Sequence, residues 1–336
     1  MNYTQNQLNK LKWLIYGTLL FFHFLKFIKS DCCDRGCTSQ GTLLNCNSVC
    51  NTGRLCKLSK HVTSLQYDDN SISTRPNHYF PYSASLENLD LCHNGLTNVI
   101  PATIFRSFPN LKRINLSGNK FHTATFLTPV NHGLEQILGL NAYCIAEQSF
   151  NKLPNLNKIQ LTLERGKPCG NFLNHSINDV KLELTQVKQI DKNDLEFVGK
   201  SKKVELVLPN VSKIDQHDLI HLSNVNELIL TVPKLQNIDP DSFKTIMGLT
   251  IVVMRAPKLK YFNAKLFHHI FLSNKISHLE LCPIGSFPQD LLVNQHAIKV
   301  MRICNYDQSL HFGIPSSNNY TEITLKNGKF SIYICG

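Results

Sequence analysis

Six cysteines crowd one short segment, at Cys32, Cys33, Cys37, Cys46, Cys50 and Cys56. Thiols this dense either pair by oxidation or hold a metal. The run lacks clean C-x-x-C pairs, which argues against zinc. The start of the chain argues for oxidation. Lys10 and Lys12 precede the apolar run Trp13–Phe22, which His23, Lys26 and Lys29 then break up. That run is shorter than the roughly 20 residues needed to cross a bilayer. It reads as a secretory signal peptide cleaved after Ser30, with an uncleaved anchor as the alternative. The mature chain is expected to be secreted, extracellular and without a membrane span. Six cysteines allow fifteen pairings, and the sequence selects none.

Four N-x-S/T triplets, at Asn115, Asn174, Asn210 and Asn319, are candidate glycosylation sites. No H-E-x-x-H, G-x-S-x-G, phosphate-cradling glycine loop or dinucleotide fingerprint occurs. The histidines, including the neighbours His268 and His269, fall at scattered positions and read as surface residues. Glu205, Glu227 and Glu280 alternate with apolar residues, a pattern of solvated carboxylates rather than buried acids or bases. No catalytic residue, metal site or cofactor is expected, and the chain is not expected to be an enzyme.

The elements that carry these residues repeat. Leu86, Leu89, Leu91, Asn94, Leu96 and Val99 stand at offsets matched upstream by Val62, Leu65, Tyr67, Asn70, Ile72 and Arg75. Downstream the series continues as Leu111, Ile114, Leu116, Asn119 and Phe121. Strand positions then follow at Ile137, Ile159, Val180, Val204, Leu228, Val252, about Ser277, about Lys299 and Ile323. A second column, Phe80, Phe105, Phe126, Phe150, Phe172, Leu195, Leu219, Phe243, Phe267 and Leu291, keeps the same phase. Intervals of roughly 21 to 25 residues mark stacked modules, each too small to bury its own apolar face alone.

The stretches "LENLDLCHNGL" at Leu86–Leu96 and "LKRINLSGNKF" at Leu111–Phe121 resemble the leucine-rich repeat family, whose motif is L-x-x-L-x-L-x-x-N-x-L. The resemblance spans about residues 60–336, tighter in the early repeats, and implies an α/β solenoid. That fold is a curved horseshoe with a parallel β-sheet on its concave face and irregular or short helical segments behind. "CTSQGTLLNC" resembles the N-terminal cap of extracellular members, although the family cap usually carries four cysteines at another spacing. The expected organisation is a signal peptide over 1–30, a cysteine-rich cap over 31–60 and about 12 repeats over 61–336. The asparagine column lapses at Ala142, Glu164, Thr185, Pro209, Pro233, Pro257 and Cys282. Cys144 takes an inward position with Cys169 within reach, and Cys282 and Cys304 fall at the same turn position of adjacent units.

Alternation along each strand sends one set of side chains inward and the other to the concave surface. The central outward series reads Gln66, Asp90, Asn115, Leu138, Gln160, Lys181, Glu205, Ile229, Val253 and His278. Two residues on it reads Asp68, Cys92, Ser117, Leu140, Thr162, Glu183, Val207, Thr231, Arg255 and Glu280. Val207, Ile229 and Val253 thus form an aliphatic patch beside Lys181, Glu205 and Arg255, the expected contact for an extracellular protein ligand. Plain strand propensity is the competing account of exposed β-branched residues. A glycan on Asn115 would cover the other end of the same surface.

Charge supplies a second function class. The formal net charge is +11, and loss of Lys10, Lys12, Lys26 and Lys29 with the signal leaves +7. Such an excess could attract sulfated glycans or nucleic acid. Basic residues are dispersed, with "GKSKK" at Gly199–Lys203 the densest run, and aromatic residues sit on the core spine rather than among lysines. A third possibility is a truncated receptor ectodomain, since the chain ends soon after a repeat strand without a recognisable cap.

Overall fold

A computed structural model of the chain describes residues 33, 36–50, 55, 57–72, 80–97, 102–124, 133–145, 149–150, 153–164, 177–191, 194–260, 263–272, 276–282, 300–303, 322–326 and 329–333. The signal segment, Cys32, Cys56, Cys169, Cys304, Asn174 and Asn319 lie outside the described residues.

One residue per module is enough to define the sheet. Leu65, Leu89, Ile114, Ile137, Ile159, Val180, Val204, Leu228 and Val252 stand in direct register across parallel strands. These strands are β3 (Ser64–Gln66), β4 (Asn88–Asp90), β5 (Arg113–Asn115), β7 (Gln136–Ile145), β8 (Lys158–Leu163), β9 (Asp179–Leu184), β10 (Lys203–Val207), β12 (Glu227–Thr231) and β14 (Ile251–Arg255). β2 (Leu43–Asn45) joins on one side, β15 (His278–Cys282) and β16 (Val300–Ile303) on the other, all parallel. A short β6 (Phe121–Ala124) runs beside the far half of β7, and β11 (Lys213–Ile214) pairs β13 (Asn237–Ile238) behind the sheet.

Both ends of the parallel ladder are closed by antiparallel pairing. β1 (Thr38–Gln40) folds back on β2, and two disulfides, Cys33–Cys50 and Cys37–Cys46, tie this piece with Cα separations of 5.2 and 4.4 Å. Both separations suit an unforced bridge. At the other end β18 (Lys329–Tyr333) lies antiparallel to β16, and β17 (Glu322–Lys326) antiparallel to β18. Ile323, expected in a further parallel repeat strand, therefore belongs to a hairpin. Two neighbouring positions also shift: Leu279, not Ser277, continues the inward column, and Met301, not Lys299, stands in register with it. The unit before β15 carries a helix, Ala264–Leu272, and its register step, from Val252 to Leu279, is longer than every earlier one from Leu65 onward.

The core is one continuous column. The strand residues bury against the second spine, of which Phe80, Phe105, Phe150, Leu195, Leu219, Phe243 and Phe267 are all buried. Phe126, Phe172 and Leu291 lie outside the described residues.

The asparagine column explains why the first strands are short. Asn70, Asn94 and Asn119 are almost fully enclosed. The main-chain N–H of Asn70 donates to Oδ1 of Asn94, and that of Asn94 to Oδ1 of Asn119, each at 3.0 Å. Nδ2 of Asn94 donates to the carbonyls of Tyr67 and Cys92, and Nδ2 of Asn119 to those of Leu91 and Leu116. Each amide satisfies main-chain groups left open where the chain turns out of the sheet. The residue before each, Asp69, His93 and Gly118, is left-handed, with φ of 53°, 52° and 72°. Where Ala142 replaces asparagine the chain does not turn. It stays in β7, with Ala142 in register with Leu163.

Candidate protein-binding face

The side chains on the open face of the sheet follow from register. Three rows cross β8 to β15. The first is Lys158, Asp179, Lys203, Glu227, Ile251 and His278; the second, Gln160, Lys181, Glu205, Ile229, Val253 and Glu280. The third, ending at β14, is Thr162, Glu183, Val207, Thr231 and Arg255.

Charges on these rows pair with their neighbours. Lys158 Nζ lies 2.7 Å from Asp179 Oδ2, Lys181 Nζ 2.6 Å from Glu205 Oε1, and Lys203 Nζ 3.1 Å from Glu227 Oε2. Arg255 Nε stands 3.4 Å from Glu280 Oε1. The hydrogen bond from Lys203 to Glu227 holds the ammonium pKa above its usual value, against a smaller opposing effect of burial. Four basic side chains on the three rows meet five acidic ones, so this face carries none of the chain's positive excess.

Between the pairs lies an aliphatic stripe, and its membership differs from the expected one. Val207 and Ile229 are half-buried, as is Ile251 on the first row, which alternation from Val253 should have brought in. Val253 is only 5% exposed and belongs largely to the core. Lys181, Glu205 and Arg255 do border the stripe, but each is engaged in a cross-strand pair. Glu280 occupies the second row beside Val253, where His278 was expected; His278 is on the first row. Leu140, expected outward, is fully buried opposite Leu161, because β7 contains a bulge between Ile137 and Leu140. Gly139 makes that bulge, with φ of 62° and Ser117 too close to admit a Cβ.

The amino-terminal end of the face is polar and acidic. Burial raises the Asp68 pKa, and the charges of Asp69 and Asp90 add to it against His93. Cys92 is 8% exposed rather than outward, and is a free thiol. Burial, reinforced by Asp90, pushes its pKa up to about 12, so the reactive thiolate is scarce at neutral pH. Asn115 is half-buried: its Nδ2 donates to Asp90 Oδ2 at 3.1 Å and its Oδ1 accepts from the Ser117 hydroxyl at 2.8 Å. Asn210 lies off this face, its Nδ2 donating to the Thr185 carbonyl at 2.6 Å and its Oδ1 accepting from Lys234 at 2.5 Å.

Histidines behind the sheet are divided. His268 is exposed, whereas His269 is half-buried, its Nε2 2.7 Å from Asp241 Oδ1. Lys265 reaches the other oxygen at 2.8 Å, and it, then His269, holds the Asp241 pKa below the usual carboxylate value. Among the described residues no three His, Cys, Asp or Glu side chains converge as a metal site.

Residues 60–124 match the leucine-rich repeat family model. Together with the unbroken register from Leu44 to Met301, this defines a leucine-rich repeat solenoid with a disulfide-bonded amino-terminal cap. No curated protein matches the chain. Among solved structures, a TLR13–ssRNA13 complex is similar at 14% identity and a TM-score of 0.49, covering 74% of this chain and 41% of that one. The Toll–Spatzle complex of Drosophila gives 14% identity and 0.43, covering 77% and 42%. Human 5T4 gives 14% identity and 0.40, covering 80% and 98%. The chain thus spans less than half the length of the first two.

Proposed function

We propose that this chain is a secreted, non-catalytic recognition protein that binds an extracellular protein ligand through the concave face of its sheet. Residues 1–30 would be the signal peptide, 31–60 the cap and the remainder the solenoid. The observation that supports a protein ligand is the stripe Val207, Ile229 and Ile251, bordered by side chains whose charges are already matched. A surface of this kind gains little from a charged polymer and more from covering apolar area, at roughly 25 cal/mol per Å². Paired disulfides fit an oxidising compartment. Among the described residues no helix is long and apolar enough to cross a membrane. Asn115 is proposed as a glycan carrier. It stands four strands from β10, roughly 20 Å at ordinary strand spacing, and would leave the stripe open.

The test compares the mature protein with Ile229→Asp/Ile251→Asp as bait in the source organism's extracellular fluid, with bound proteins read by mass spectrometry. Both side chains are partly solvated, so thermal melting should shift little. A protein retained by the parent and lost from the variant supports the reading. Identical retention by two equally folded baits removes it.

A further inference from the structure

The chain is basic, yet its sheet face is not, so the positive excess must lie elsewhere. Part of it collects on the flank where the chain leaves the central strands. Four units run there in parallel: 185–190, 209–214, 233–238 and 257–260. The first three are aligned by hydrogen bonds from Asn210 to Thr185, from Lys234 to Asn210 and from Gln236 to Ser212 and by the pairing of β11 with β13, and the fourth follows directly on the Thr231–Arg255 register and the bond from Val232 N–H to the Arg255 carbonyl. Lys188, Lys234, Lys258 and Lys260 all project here and are exposed. Lys234 and Lys258 hold equivalent positions in adjacent units, roughly 5 Å apart at strand spacing. Lys260 follows two residues on.

These cations differ from those of the sheet. There every lysine from β8 to β10 faces a carboxylate. Lys234 touches only a neutral amide oxygen, and Lys188, Lys258 and Lys260 have no carboxylate within ion-pair distance among the described residues. Lys213 is the contrary case, neutralised by Asp215 at 2.6 Å. We propose that this flank docks a sulfated glycan, with Lys188, Lys234, Lys258 and Lys260 supplying the contacts. Sulfate is charged at every physiological pH and needs only point cations, which compact ammonium groups provide. Nucleic acid would be marked by rings for base stacking; the first three stretches hold none, whereas Tyr261 and Phe262 follow directly on the fourth in the sequence, so the RNA arm of the test decides between the two polymers. The inference is independent of the sheet-face ligand, and rests on secretion only for its physiological setting.

The experiment measures binding of a size-defined heparin oligosaccharide to the full mature chain at about 0.1 M salt, where surface charges are screened beyond about 10 Å. The variant Lys188→Ser/Lys234→Ser/Lys258→Ser/Lys260→Ser is expected to bind about tenfold more weakly or worse. A charge-matched control, Lys112→Ser/Lys158→Ser/Lys181→Ser/Lys203→Ser, should stay within about twofold of the parent. Equal losses in both, or no loss in the flank variant, would overturn the proposal by showing no preferred site. A single-stranded RNA oligomer of equal charge bound as tightly as heparin would overturn the glycan assignment. Ile229→Asp/Ile251→Asp should keep full heparin affinity, so the two readings fail separately.

Discussion

The first three repeats and the central ones solve the same problem differently. Each module must leave the sheet, and its departing main chain exposes groups that the interior cannot leave unpaired. In the early repeats a buried asparagine does this, and strands β3, β4 and β5 are three residues long. In the central repeats the backbone does most of it, helped by the Thr185 hydroxyl donating to the Leu163 carbonyl and Asn210 Nδ2 donating to the Thr185 carbonyl. β8 and β9 run six residues, β10, β12 and β14 five, with further ladder bonds from Leu208 N–H to Thr231 and from Val232 N–H to Arg255. Proline then follows at 209, 233 and 257, where the chain needs no donor. Side-chain amides and extra strand length are alternative ways to satisfy one set of carbonyls and amides, and a chain can change between them once its core column stays in register.

The largest expected effect separates the two solutions. Asn94→Ala removes an acceptor for Asn70 and a donor for Tyr67 and Cys92, all enclosed. Buried groups left without partners cost about 1–3 kcal/mol each, so the loss should reach about 3 kcal/mol or more. It should be confined to the early repeats, because a solenoid is stabilised module by module. Hydrogen exchange should accelerate across β3 to β5 while β10 to β14 stay protected. A loss under about 1 kcal/mol, or uniform exchange, would deny the asparagines their role.

What could be read in advance follows the same divide. The inward column from Leu65 to Val252 was legible because apolar spacing and strand register have one cause, the stacking of like modules. The asparagines were legible as a column, but their lapse said only that something changed, not that strands would lengthen. Two misplacements had local physical causes. A single left-handed glycine, Gly139, inserts a residue into β7 and turns Leu140 inward, which no counting of alternate positions reveals. The helix Ala264–Leu272 lengthens the next connection, which carried Glu280 into the second row and His278 out of it. The flank lysines were visible individually. Their grouping was not, because it depends on which residues of different repeats lie side by side.

Gly139 also marks the change from one solution to the other, and breaking it should cost less than breaking the asparagines. A Cβ there would overlap Ser117 Oγ and lie 2.8 Å from its Cα, on a backbone with φ of 62°. Gly139→Ala should therefore destabilise by about 2 kcal/mol, within the range for a strained backbone position. Thermal unfolding gives the magnitude. If strain at the bulge is the cause, Ser117→Gly in the same chain should return part of the loss by removing the hydroxyl; no recovery at all would place the cost elsewhere.

The smallest effect concerns the charge rows that only the longer strands carry. Lys203 and Glu227 are 44% and 36% exposed, so their pair should contribute only about 0.5 kcal/mol. Its pH dependence nevertheless identifies it. The folded pKa of Lys203 lies above its ordinary 10.5, chiefly through the bond to Glu227. A raised pKa means that the contribution is fully present below 10.5 and disappears as pH rises through the folded value. The stability gap between the parent and Lys203→Met should thus be flat across neutral pH and close in strong alkali. Urea titrations of both proteins at a series of pH values would show it. A gap that persisted undiminished above the folded pKa would assign it to the lysine's methylene packing on neighbouring strands instead of to the ion pair.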